Sequence, residues 1–335
     1  MDGPIEGHGR CPACGEPSLR PWRAATPGSG IPAPPGDYGL LRCSRCGSAA
    51  LTGPGSEAGV GLHEAGAGVP ARTGFERPLE RVRRITARRR VRLLGRIEPR
   101  DRVLDVGAGR GGLLAALAER AGGASGIEPS HGAFAAARSR GVRVENVSIE
   151  RAEVEPRSQD LVILWHVLEH LDGPAEALRR IHRWMAEEGR LVIAVPNLGS
   201  LQARLGGDRW FHQDVPRHRT QFTLEGIDRL LRRSGFAPAR IRHSVIDQGA
   251  LGMWVTLLNR LTAQANVPLR FLKRDLHYSS RAQAGRDALV TVALGLPLAL
   301  VAVLLEAGAA IARRGGSVVV EARPEGEVAL EAGGA

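Results

Sequence analysis

The sequence has almost no lysine: Lys273 is the single one, and arginine supplies the rest of its 46 basic residues. Against 35 acidic residues the formal charge is +11, which on its own would suggest an anionic partner such as nucleic acid. The one-sided use of arginine, beside 43 glycines and 21 prolines, reads instead as a G+C-rich coding background, and the charge carries no partner argument. Cysteine is scarce too, with four residues, all in two C-x-x-C pairs. The first thirty residues hold no apolar run, so no secretory signal is read there and a cytoplasmic protein is expected. Without an export signal, paired cysteines favour metal over disulfides.

The chain divides into a cysteine-bearing segment (1–50), a Gly/Ala-rich linker (51–75) and a core (76–246). A helical insertion (247–316), a last core strand (317–323) and a disordered tail (324–335) follow. Leu79, Val82, Ile85, Val91 and Leu94 predict an arginine-rich helix over 76–97 whose charges form a solvated face, an anionic surface being the alternative partner. Beyond Arg100, short apolar runs at Val103–Val106, Ala124–Ile127, Val142–Val147, Leu161–Leu164 and Leu191–Val195 alternate with helical stretches. That alternation predicts a parallel sheet covered by helices on both faces. A helix over Leu224–Ser234, a strand around Ala239–Ile246 and a final strand at Val318–Glu321 complete the α/β pattern.

Cys11-Pro-Ala-Cys14-Gly and Cys43-Ser-Arg-Cys46-Gly each place two sulfurs on one tight turn, with a glycine to relieve the backbone. Four thiolates form the tetrahedral set that Zn²⁺ accepts, and a closed set makes the metal structural. A segment so rich in Pro and Gly needs such a staple to fold. It carries no basic and aromatic cluster that would read bases.

In VLDVGAGRGGLLAALAER (Val103–Arg120) an apolar strand runs into a glycine loop and then a helix. Gly107, Gly109 and Gly112 alone would also satisfy the dinucleotide pattern G-x-G-x-x-G. Asp105 decides against a pyrophosphate, because two anions would face one another; it suits a ligand bearing an ammonium and a sulfonium. Glu128 ends the next strand, where ribose hydroxyls are gripped in such sheets.

DVGAGRG, Glu128, LVILWHVLEHL (Leu161–Leu171), GRLVIAVPN (Gly189–Asn197) and DVPRHRTQFTLEGIDRLLRRSGF (Asp214–Phe236) stand in the order seen in one family. Over roughly residues 100–245 the chain resembles class I S-adenosylmethionine-dependent methyltransferases of the H-x-L-E-H group, and its cysteine segment resembles their N-terminal zinc ribbons. The resemblance implies a Rossmann-like, doubly wound seven-stranded sheet. It also implies that Asp105, Gly107, Ala108, Gly109 and Gly111 line the methionine end of the cofactor and that Glu128 and Pro129 hold its ribose. Trp165 and His166 would line the same pocket. Where the family has an acid for the adenine amino group, this chain has Ser148-Ile149.

Methyl transfer needs alignment of nucleophile and cofactor, and often a base. His218 is the first candidate base, on a loop expected to fold over the pocket with His212, and His166 is the second. The string H-x-x-E-H (His166, Glu169, His170) also occurs in metal hydrolases, but its position straight after a buried strand argues against a catalytic metal here. Ala288–Leu305 has one polar residue, Thr291, and is long enough for a membrane span. Pairing of the strands on either side would forbid a single crossing, leaving an in-plane membrane helix or a helix pair with Leu251–Leu261 that buries the apolar face. The expected function is methylation, at oxygen, of a small molecule, sugar or lipid-linked acceptor. The alternatives are an NAD(P)-dependent oxidoreductase and a zinc-ribbon protein that binds or modifies nucleic acid.

Overall fold

A computed structural model of the chain describes residues 9–25, 35–54, 76–244, 248–273, 276 and 278–325. A seven-stranded sheet forms the core. Its parallel part comprises β4 (Arg102–Val106), β5 (Gly123–Ile127), β6 (Val144–Glu145), β7 (Gln159–Trp165) and β8 (Met185–Pro196). β10 (Phe236–Ser244) and β11 (Ser317–Pro324) complete it, in the order β10-β11-β8-β7-β4-β5-β6. β11 runs antiparallel to both its neighbours, with Val319 opposite Ala194 on one side and Arg242 on the other. The third expected strand shrinks from Val142–Val147 to two residues, because β6 is an edge strand that pairs with β5 only at Val144 and Glu145.

The apolar runs of β4, β7 and β8 are buried throughout, as a sheet covered on both faces requires. One face carries α4 (Pro174–Trp184) and α6 (Leu224–Arg233) with Leu178, Ile181, Leu230 and Leu231. The other carries α1 (Glu76–Leu93) and α2 (Gly112–Ala118) with Val91, Leu94, Leu114 and Leu117. Of the expected apolar positions of this arginine-rich helix, Val91 and Leu94 are buried, together with Ala87, but Val82 and Ile85 are corrected to exposed, because the packed cluster begins at Ala87. α3 (His131–Arg138) and α5 (Leu201–Gly206) are capped by the Ser130 and Ser200 hydroxyls.

A second, four-stranded sheet joins β1 (Leu19–Ala25), β2 (Tyr38–Cys43) and β3 (Ala49–Thr52) to β9 (Thr220–Gln221) of the core. The cysteine segment is therefore docked: Thr223 binds the Cys46 carbonyl, and Arg233 binds those of Pro12 and Ala13. A Cβ on Gly226 would come within 2.0 Å of the Ser48 hydroxyl, so α6 needs glycine there. Leu51 and Thr52 belong to β3, and Pro324 to β11; residues 55–75 and 326–335 of the expected linker and tail lie outside the described residues.

Between β10 and β11 lie α7 (Gln248–Asn259), α8 (Val267–Lys273) and α9 (Arg281–Ile311). α7 and α9 pack antiparallel, with the Trp254 indole donating to the Gly295 carbonyl at 2.7 Å. The expected pairing occurs, yet it does not bury the apolar face: Val292 is 83% exposed and Leu296 and Leu304 are each 73% exposed. Only Asp287, Gly295, Ala302, Glu306 and Ala309 face inward. α9 is long and apolar enough to cross a membrane.

Candidate active site

The chain order of the parallel strands reverses between β4 and β7, and the carboxyl ends of those strands open the crevice in which such sheets bind ligands. Asp105 lies there at 2% exposure. Burial pushes its carboxyl up to about 7, with Arg90 of α1 pulling the other way and Glu128 adding to the rise. Glu128 accepts from the backbone N–H of Gly109 and of Ser130, each at 2.8 Å. Burial raises its pKa in spite of those two bonds. Each of its oxygens keeps a lone pair for a further hydroxyl donor.

The loop glycines divide by what surrounds them. All three of Gly107, Gly109 and Gly111 take positive φ. A Cβ at Gly107 would come within 2.5 Å of Val167, and one at Gly111 within 2.9 Å of Ala137, but one at Gly109 meets nothing within 4 Å. Space for a ligand thus opens at Gly109, next to Glu128, whereas Gly107 and Gly111 let neighbouring elements approach. Ala108 and Trp165 are buried in the cluster beneath the loop, and the Arg90 guanidinium lies 5.1 Å from the Trp165 ring. Ile149 is buried on the opposite face, and the Ser148 carbonyl starts a turn by accepting from Arg151 and Ala152. Asn146 was missed by the sequence reading: its amide donates to the carbonyls of Glu128 and Pro129 at 2.8 and 3.0 Å and so fixes the acid-bearing turn. In the sequence it lies inside the run expected as a strand, Val142–Val147, and only the shortening of β6 to two residues puts it on the turn.

His166 directly follows β7 and has φ +55, a left-handed conformation uncommon outside glycine and frequent at functional sites. Its Nδ1 lies 3.1 Å from Glu169 Oε1, and its Nε2 has no hydrogen-bond partner among the described residues. Burial acts to raise the Glu169 carboxyl, but the bond to His166 and the charges of His166, His170 and His218 hold it down at about 2. His212 stacks parallel to His166 with ring centroids 6.3 Å apart. The loop that carries His212 and His218 does fold over this end of the sheet, with Arg219 N–H donating to the Glu169 carbonyl at 2.8 Å. His218, the first candidate base, is 7% exposed, and its Nδ1 lies 2.7 Å from the His212 carbonyl. Burial drives its pKa well below the usual range. His166, His212, Glu169, His170 and His218 form one contiguous network, and the neighbouring Val167 packs against Gly107 of the glycine loop.

In the N-terminal segment the four cysteines converge. Cys11 and Cys46 sulfurs are 3.7 Å apart, and those of Cys14 and Cys43 are 3.5 Å apart. Tetrahedral zinc with bonds of about 2.3 Å separates its sulfurs by about 3.8 Å, so the cluster fits that ion. Gly15 and Gly47 close the two turns with positive φ, each donating to the carbonyl of the first cysteine of its pair. A hydrogen bond from Cys11 pulls the Cys46 thiol down to about 5, while that same bond raises Cys11.

A family model described as a methyltransferase domain matches residues 79–240. Residues 79–240, just under half of the chain, are thus similar to a methyltransferase domain. The sheet, with the antiparallel β11 inserted between β8 and β10, is the doubly wound, Rossmann-like seven-stranded sheet that the sequence resemblance implied. Among curated proteins, the ubiquinone biosynthesis O-methyltransferase of Pseudomonas paraeruginosa is 34% identical over 102 residues, covering 28% of this chain and 44% of that protein. Its Pseudomonas aeruginosa counterpart is 33% identical over 103 residues, again covering 44% of the relative. The match thus spans less than half the length of these relatives. Among solved structures, a Thermotoga maritima methyltransferase described as a possible histamine N-methyltransferase is 17% identical with a TM-score of 0.45 and covers 74% of this chain and 93% of that one. Geranyl diphosphate C-methyltransferase from Streptomyces coelicolor is 15% identical with a TM-score of 0.46, covering 78% and 87%.

Proposed function

We propose that the protein transfers a methyl group from S-adenosylmethionine to an oxygen of a small, apolar or lipid-linked acceptor. The observation that carries this is Asp105, a carboxylate buried at the switch point where a dinucleotide phosphate would be repelled and a cationic methionine moiety would be held. Glu128 would take the ribose hydroxyls beside Gly109, and the turn at Ser148-Ile149 would flank the base. When bound, the cofactor supplies a methyl carbon already activated by its sulfonium. The names of the curated relatives record O-methylation, which supports oxygen as the acceptor atom.

His166 is the better base. Glu169 fixes the proton on Nδ1, so the ring's lone pair is at Nε2, the same division of labour as in a carboxylate–histidine pair of a hydrolase. His166 is preferred to His218 because its Nδ1 is held by a carboxylate, whereas that of His218 is held by a backbone carbonyl. Replacing His166 by glutamine and measuring single turnovers with a phenolic acceptor tests the assignment. The four cysteines are proposed to hold one structural zinc, which their spacing supports.

A membrane-presented acceptor is favoured by α9. Gln202 holds the start of α7 and the end of α9 through the Gly249 carbonyl and Glu306. Arg209 holds the far end of α7 through the carbonyls of Asn259, Thr262 and Ala263, where Asp287 of α9 also binds. Both ends of the hairpin are tied to the same body, so its outward apolar stripe lies flat. Arg281, Arg286, Arg313 and Arg314 flank that stripe, which suits an anionic bilayer surface.

A further inference from the structure

Gly252, Thr256 and Asn259 of α7 recur at i, i+4 and i+7 and so stand on one face of that helix, and all three are buried. Each meets a different part of one short stretch beyond α5. Asn259 Nδ2 donates to the Arg209 carbonyl at 3.1 Å, and Arg209 donates in return to the Asn259 carbonyl at 2.7 Å. Thr256 Oγ1 accepts from the Phe211 N–H at 3.1 Å. A Cβ on Gly252 would come within 2.6 Å of His212 Nε2 and 2.8 Å of Gln202 Oε1. Glycine is disfavoured inside a helix unless something must approach it closely, and here the His212 ring does. The face of α7 is thus matched in order to Arg209, Phe211 and His212, running antiparallel to them. Gln202 fastens the same turn of α7, since its amide donates to the Gly249 carbonyl at 2.5 Å and to Glu306 of α9 at 2.8 Å. Glu306 in turn accepts from the Gly316 N–H at 2.7 Å, where the chain enters β11. On its other sides His212 meets Trp210 and Phe211 edge-on, with ring centroids 5.7 and 4.7 Å away, and lies parallel to His166.

We propose that this face of α7 positions His212 and, through it, His166. Gly252 and Thr256 are then positioning residues of the active site, and the inserted hairpin is a working part of it and not only an outward surface. The inference rests on the reading of the crevice as a methyl-transfer site with His166 as its base. The sheet supplies His166 directly beyond β7, but the ring that lies parallel to it is set by an element that enters the chain only between β10 and β11. Two different parts of the fold thereby meet at one pair of imidazoles, and their register depends on how α7 is seated.

The test uses the full chain with isotope-labelled histidines, read by NMR at one fixed pH, the ring signals of His212 and His166 being assigned by replacing each in turn. His212 lies within the ring currents of Trp210 and Phe211, so a displaced ring changes its chemical shift. Thr256→Val keeps the shape of the side chain and removes the acceptor for the Phe211 N–H; it should shift the His212 signals and, with them, those of His166. Thr256→Ser keeps the hydroxyl and should leave both close to their native positions. Gly252→Ala presses only on the ends of two side chains, so α7 should persist while the His212 ring moves. Calorimetric titration with S-adenosylmethionine should give native affinity in all three variants, because the proposed cofactor anchors Asp105 and Glu128 lie elsewhere. Native His212 signals in both Thr256→Val and Gly252→Ala would overturn the proposal, as would equal shifts in Thr256→Ser and Thr256→Val. So would His212 signals that move while those of His166 stay; α7 would then be packing alone. The ring signals are read without an acceptor, so full turnover by His166→Gln would end the role of His166 as base without touching the contact with α7.

Discussion

Asp105 sits in a position that costs the empty protein stability. Its carboxyl rises from 3.8 to about 7 on folding, chiefly through burial. Its favourable contribution to the cofactor-free fold is full below about pH 3.8 and is lost as pH rises through 7. A cationic ligand reverses the balance, because it binds the ionised form. Affinity for S-adenosylmethionine should hold above pH 7 and fall by up to about tenfold per unit below it. Asp105→Asn should flatten that pH profile, bind cofactor weakly and raise the Tm of the cofactor-free protein at neutral pH; calorimetry and thermal melts read both. A residue that is merely structural would lower the Tm when replaced. At His166 the expected outcome is different in kind: His166→Gln should reduce turnover by about 10²–10⁴ and leave cofactor affinity nearly unchanged. Full turnover by that variant on the true acceptor would remove the base from the mechanism.

Elements differ in how far their sequence announced them. β4, β7 and β8 were legible because a buried parallel strand reads as an unbroken apolar run, and the glycine loop was legible because its backbone cannot tolerate side chains. The acids at the ends of β4 and β5 were placed correctly on the sheet edge by the same reasoning. The histidine network was not, since His166 and His218 are joined through Glu169 only after the loop folds back over the sheet, and no periodicity encodes that closure. Docking of the cysteine segment was also hidden: β9 is two residues long, and the contacts of Thr223, Gly226 and Arg233 look like ordinary helix composition. The docking makes a prediction. Cys43→Ser with Cys46→Ser should lose one zinc per chain by metal analysis and lower the Tm. Because Cys11, Cys43 and Cys46 pack in the same cluster as Ile227 and Leu230, the loss should reach α6, and hydrogen exchange there should quicken. Unchanged exchange in α6 would mean that the ribbon rides on the core without supporting it.

At the scale of the whole molecule, the exposed stripe of α9 is the feature that an isolated globular protein has least reason to keep. Its 31 residues span roughly 46 Å along the flank of the core. The protein should float with liposomes containing anionic lipid, and Leu296→Glu with Leu300→Glu should reduce that binding at least tenfold while cofactor binding persists. Equal binding by that variant would assign the attraction to charge alone, and the native protein should then come off with modest salt. The central claim remains the chemistry of the crevice, and one measurement addresses it most directly. Calorimetric titration of the full chain with S-adenosylmethionine and, separately, with NAD should give one site for the first and none for the second, with the first abolished in Asp105→Ala. Binding of NAD, or binding of S-adenosylmethionine that survives Asp105→Ala unchanged, would contradict the account.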